Sequence, residues 1–146
     1  MVVFRDLKSV IEMVIEREEI LSAFYTAAEN VVTDKECRQV IAVLRDRHEQ
    51  NLKIIRDLRI ENFGKDEWIR NVPDFDIHGV LPPVAILGTV SRDELASSVL
   101  EFETRMREFY RTVSEEIVTT EEKDLFDSLA MFKDKQIMDI RRCFEC

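Results

Sequence analysis

Two stretches of the chain lie 85 residues apart and carry one pattern. The first is Glu18-Glu19-Ile20-Leu21-Ser22-Ala23-Phe24-Tyr25, and the second is Glu103-Thr104-Arg105-Met106-Arg107-Glu108-Phe109-Tyr110. Each opens on a Glu and closes on a Phe-Tyr pair at the same spacing. A chain that repeats itself folds as two copies of one unit, so the question is what that unit is.

Periodicity answers it. Leu7, Ile11, Val14, Glu18, Leu21, Tyr25, Ala28 and Val32 step by alternating fours and threes, which places them on one helical stripe. All are apolar or aromatic except Glu18. Helix 1 is therefore expected from about Phe4 to Val31. Thr33 followed by Glu36 has the capping-box spacing, so helix 2 is expected from Asp34 to about Asn62, closing near Gly64. Its stripe is Ile41, Arg45, His48, Leu52 and Ile55. A join this short makes the two helices antiparallel neighbours.

From Phe63 to Val90 the pattern breaks at Pro73, Gly79, Pro82, Pro83 and Gly88. This is too long for an ordinary loop and suits a crossover running the length of a bundle. Trp68, Phe75, Ile77, Leu81 and Ile86 are expected to cover the outside of the helices. Ser91 with Glu94 then caps helix 3, expected over 92–118, where Ala96, Val99, Glu103, Met106, Tyr110, Val113 and Ile117 repeat the first stripe. Thr119 with Glu122 opens helix 4, expected over 121–143, with Phe126, Leu129, Lys133, Gln136 and Ile140 facing inward. Arg45 and His48 recur as Lys133 and Gln136 at an offset of 88, three more than before. The turn of the second hairpin accounts for the difference. The expected fold is an all-α four-helix bundle of two duplicated hairpins and one crossover, spanning 1–146 as one domain.

Six polar residues interrupt the four apolar seams: Glu18, Arg45, His48, Glu103, Lys133 and Gln136. A charge taken out of water must be paired, metal-bound or neutralised. In this arrangement the chain resembles the ferritin-like superfamily, and most nearly its rubrerythrin-type di-iron carboxylate bundles. Such bundles take one Glu from each of two helices and a Glu-x-x-His pair from each of the other two. The resemblance implies that Glu18, His48 and Glu103 stand at metal-ligand positions. It also implies that Arg45 and Lys133 replace two carboxylates and Gln136 replaces a histidine. The expected consequence is a degenerate di-iron site in which Arg45 and Lys133 pair with Glu18 and Glu103. The protein would then be a non-catalytic scaffold or partner-binding bundle that needs no cofactor. The alternative is a di-metal oxidoreductase acting on oxygen or peroxide. It would hold iron or manganese through Glu18, His48, Glu103 and a further carboxylate, with Arg45 and Lys133 turned outward.

A net charge of −9 argues against nucleic acid and anionic membrane surfaces as partners. No stretch approaches the roughly 20 apolar residues of a membrane span. Arg5, Asp6 and Lys8 interrupt the N-terminal apolar pattern, so a cytoplasmic protein is expected. A homodimer is a further expectation, and no protein partner is indicated. Cys143-Phe144-Glu145-Cys146 has the spacing of a redox dithiol or of half a zinc site. His78 has no partner at ligand spacing.

Overall fold

The structure is a computed structural model, which describes residues 4–58, 68–70, 72, 79–117 and 120–144. Four helices dominate it: α1 (Leu7–Val31), α2 (Lys35–Arg56), α3 (Arg92–Glu116) and α4 (Thr120–Phe144). Together they form an all-α bundle whose core is drawn from the predicted stripes and from Val10, Leu44 and Phe102 beside them. Val10, Ile11, Val14 and Leu21 of α1 pack with Ile41, Leu44 and Ile55 of α2, Phe102, Met106 and Val113 of α3, and Phe126 and Ile140 of α4. The chain is long enough to bury this much apolar surface, which is the main driving force for the fold.

Polar contacts fix the helix directions. Glu29 and Glu19 on α1 pair with Arg45 and Arg56 on α2, so the sequence rises on one helix as it falls on the other. Ser114 and Arg107 on α3 meet Asp127 and Asp134 on α4 in the same sense. Helix α3 begins where α1 ends. Leu95 and Val99 face Phe24, Ala28 and Ile41 across a small apolar gap. A Cβ on Gly88 would come 3.2 Å from Val31 Cγ1, so glycine permits the close approach at this corner.

Near the other end of α1, β1 (Phe4–Asp6) pairs antiparallel with β2 (Trp68–Arg70), placing Arg5 opposite Ile69. The chain between β2 and α3 therefore travels back along the bundle, as the length of that segment suggested.

Several boundaries differ from expectation. Phe4–Asp6 pairs as a strand, and α1 starts only after Asp6, whose carboxylate caps it by accepting from Ser9 N at 2.9 Å. Asp34 rather than Thr33 caps α2, accepting from the N–H groups of Glu36 and Cys37. An aspartate one residue nearer the helix competes successfully for the same donors. Helix α2 stops at Arg56, six residues short of the expected end, and Gly64 lies outside the described residues. Ser91 caps α3 as its spacing predicts, accepting from Glu94 N at 3.1 Å. Thr119 lies outside the described residues.

The crossover contains β2 and a short 3-10 helix, Val84–Thr89. Among the described residues Ile69, Val72, Val80 and Leu87 supply its buried side chains, whereas Ile86 is exposed. Leu81 packs at the edge of the core. The side chain of Trp68, and residues Phe63, Phe75, Ile77 and His78, lie outside what is described.

Candidate functional site: a lysine between two buried glutamates

Five of the six polar residues in the apolar seams are fully buried at the centre of the bundle: Glu18, His48, Glu103, Lys133 and Gln136. Each comes from a stripe that faces the core, so burying the apolar members of the stripe forces the polar member inside with them. The arrangement is organised by Lys133. Its Nζ lies 2.9 and 3.0 Å from the two carboxylate oxygens of Glu18. It lies 3.2 and 3.4 Å from those of Glu103. One ammonium from α4 therefore bridges carboxylates from α1 and α3, and ties the two hairpins together.

The remaining groups close around this bridge. The Tyr25 hydroxyl donates to Glu103 Oε1 at 3.2 Å. Tyr110 holds the matching position toward Glu18, in a contact looser than a formed hydrogen bond. Each tyrosine thus faces the glutamate of the other hairpin, which requires α1 and α3 to run in opposite directions. Gln136 donates from Nε2 to the carbonyl of Leu44 at 3.3 Å, and its Oε1 has no partner. His48 Nε2 lies 2.8 Å from the carbonyl of Glu18. A carbonyl only accepts, so Nε2 carries the proton. His48 Nδ1 then faces Glu18 Oε2 at 3.5 Å without a hydrogen bond.

The electrostatics follow from burial and from these partners. Burial pushes His48 from 6.5 to about 4, because desolvation outweighs the pull of Glu18, and Lys133 pushes the same way as burial. The imidazole is therefore neutral at pH 7. Burial raises Glu103, and the charge of Glu18 adds to this, while Lys133 opposes it. For Lys133 itself burial favours the neutral amine, but Glu103 and Glu18 overcome it and hold the ammonium above its usual value. Burial and the neighbouring carboxylates raise both Tyr25 and Tyr110 well above 10, so both phenols stay protonated.

Arg45 departs from expectation. It does not reach Glu18 or Glu103. It turns outward to an ion pair with Glu29 and a second with Asp46 at 3.0 Å, with about a quarter of its side chain exposed. A guanidinium that finds two carboxylates near the surface avoids the desolvation cost of the interior. Among the described residues the interior therefore holds one cation where the sequence suggested two. Sequence reasoning also passed over Glu29, which lies in the last turn of α1 and belongs to no motif. Its repeat mate is Ser114, and that asymmetry was available in the sequence.

The fit to a di-metal centre is poor. His48 has committed Nε2 to a backbone carbonyl, and an ammonium stands in hydrogen-bonding contact with both carboxylates. Among the described residues no group of three or more His, Cys, Asp or Glu is placed to hold a metal ion. Cys37 is buried beside Asp34, and burial raises its thiol, which leaves it unreactive. Cys143 lies in the last turn of α4 and Cys146 outside the described residues. Among the described residues no helix is long and apolar enough to cross a membrane. Compared with protein-family models, with curated proteins and with solved structures, the chain matches none.

Proposed function

We propose that the chain is a ferritin-like, rubrerythrin-related bundle in which an internal ammonium does the electrostatic work that metal ions do in a di-iron carboxylate protein. On this reading it is a non-catalytic scaffold or partner-binding bundle. One observation carries the proposal: Lys133 Nζ lies 2.9 Å from Glu18 and 3.2 Å from Glu103, where it supplies the positive charge the two carboxylates require. A cation in that place repels a second one. At 4 Å two like charges repel by about 4 kcal/mol at an effective dielectric of about 20. The crossed tyrosine contacts and the returning crossover support the duplicated-hairpin reading.

The alternative, a di-metal oxidoreductase, draws on two observations. His48 Nδ1 is unpartnered, and Arg45 points outward as that reading requires. It also requires Lys133 to leave the interior. Metal analysis of protein from cultures supplied with iron and manganese separates the two readings. The scaffold reading expects substoichiometric metal and no peroxide-dependent turnover. Two metal ions per chain with turnover would establish the oxidoreductase instead. The double variant Lys133→Glu, Gln136→His removes the resident cation and restores a carboxylate-imidazole pair. It is expected to gain metal affinity over the parent chain.

A further inference from the structure

The outward face of α4 is unusual for a protein of net charge −9. It presents Met131, which is 70% exposed, and Met138, which is 58% exposed, two helical turns apart. Beside Met138 is a surface groove lined by Arg107, Asp134, Ile137, Met138, Arg141 and Arg142. Asp134, Ile137, Met138 and Arg141 are spaced i, i+3, i+4 and i+7, the set of four side chains that forms a hole for a knob from a facing helix. Ile137 is buried and gives the groove an apolar floor.

Charge along this face is segregated. Exposed Asp127 lies before Met131, while exposed Lys135 and Arg142 flank Met138. Among the described residues neither Arg141 nor Arg142 has an ion-pair partner. Asp127 accepts from Ser114 Oγ through Oδ1 alone among the described residues.

We infer that α4 is a self-association surface, on which two copies of the chain pair antiparallel about a two-fold axis between Asp134 and Lys135. The register follows from the sequence. Placing Met131 of one copy opposite Met138 of the other brings Arg142 opposite Asp127, and Lys135 opposite Asp134, which also meets Arg107 and Arg111 of its own chain. Each contact occurs twice, as an isologous interface demands. Met131 of each copy enters the groove of the other, between Ile137 and Met138. A parallel pairing would set Arg142 against Arg142 and Asp127 against Asp127. The charges of Asp127 and Arg142 and the two methionines are thus matched by a second copy of this chain running in the opposite direction. A seam confined to one face of one helix makes a weak dimer that dissociates on dilution. The flanking ion pairs are exposed, so it weakens with salt.

Sedimentation velocity of the intact chain from the low-micromolar to the millimolar range tests this. The expected result is a monomer–dimer equilibrium. Met131→Glu should weaken it about tenfold or more, by burying a charge in the seam. Because Met131 points to solvent in the single chain, the variant's thermal unfolding should match the parent. Arg142→Glu should weaken the dimer, and Arg142→Glu combined with Asp127→Lys should restore it, since the pair then meets with reversed signs. A monomer throughout that range would overturn the inference. So would a dimer indifferent to Met131→Glu, which would place the interface elsewhere.

Discussion

Arg45 and Lys133 occupy the same place in the two halves of the chain, yet one sits at the surface and the other at the centre. Their helices have the same length class and the same stripe, so neither propensity nor periodicity separates them. Their neighbours do. Arg45 is drawn outward by Glu29 on α1 and by adjoining Asp46. In the second hairpin Ser114 stands at the position of Glu29. There the counterpart of Asp46 is Asp134, which is already held by Arg107 and Arg111 of α3. Those arginines replace Ser22 and Thr26 of the first copy. With Asp134 already held by two arginines, Lys133 finds its partners within. Which of two equivalent cations is buried is thus decided by the charges on the outer flank of each hairpin.

Replacing the two cations should give the largest contrast. Lys133→Met leaves two carboxylates buried without a counter-ion and should cost about 3–5 kcal/mol in urea unfolding. Arg45→Met removes only a partly exposed pair and should cost about 1 kcal/mol or less. Equal losses would remove the distinction drawn between the halves. Neutralising the carboxylates together with the lysine, by Glu18→Gln, Glu103→Gln and Lys133→Met, should recover much of the loss.

The dependence on pH is the next test. His48 is depressed from 6.5 to about 4 in the folded chain, so the unfolded chain binds a proton more readily between these values. The stability His48 contributes is fully present above pH 6.5 and is lost as pH falls toward 4. Integrated over the shift this amounts to roughly 3 kcal/mol. Glu103 acts in the opposite sense. Its folded value is raised, so its contribution is full at acid pH and is lost as pH rises through that value. Comparing the parent with His48→Gln isolates the first effect: the parent's advantage should shrink on acidification. An advantage that stays constant from pH 7 to pH 4 would contradict the neutral imidazole.

The two tyrosines extend the comparison to a smaller scale. Tyr25→Phe removes a formed hydrogen bond to Glu103 and should cost about 1.5–3 kcal/mol if that group is charged. Tyr110→Phe removes only a looser contact with Glu18 and should cost less. Smallest of all is the cap of α2. Asp34→Ala should cost about 1 kcal/mol and Thr33→Ala only a fraction of that, because Asp34 accepts the helix N–H groups. Circular-dichroism melts of these variants check all four expectations.

The stripes and the internal repeat were enough to read the helices, and to bring Glu18, His48, Glu103, Lys133 and Gln136 into one seam. Each of those residues sits where an apolar neighbour one turn away pulls it inward. The fate of Arg45 was not legible in the same way, because its stripe position favours the core while a residue on another helix favours the surface. The strand at Phe4–Asp6 was hidden for a related reason. Its partner, Trp68–Arg70, lies more than sixty residues away and marks no periodicity. Local pattern specifies elements, and long-range competition between charges decides which side chain wins a place inside.

The central claim is that the Lys133 ammonium is the resident cation of the bundle interior. Nitrogen-15 NMR of lysine-labelled protein observes it directly. A buried ammonium held by two carboxylates should give one side-chain signal protected from solvent exchange, absent in Lys133→Arg and unchanged when iron(II) or manganese(II) is added in stoichiometric amount. No protected ammonium signal, or its loss on adding the metal, would mean that the two glutamates are held by something other than Lys133.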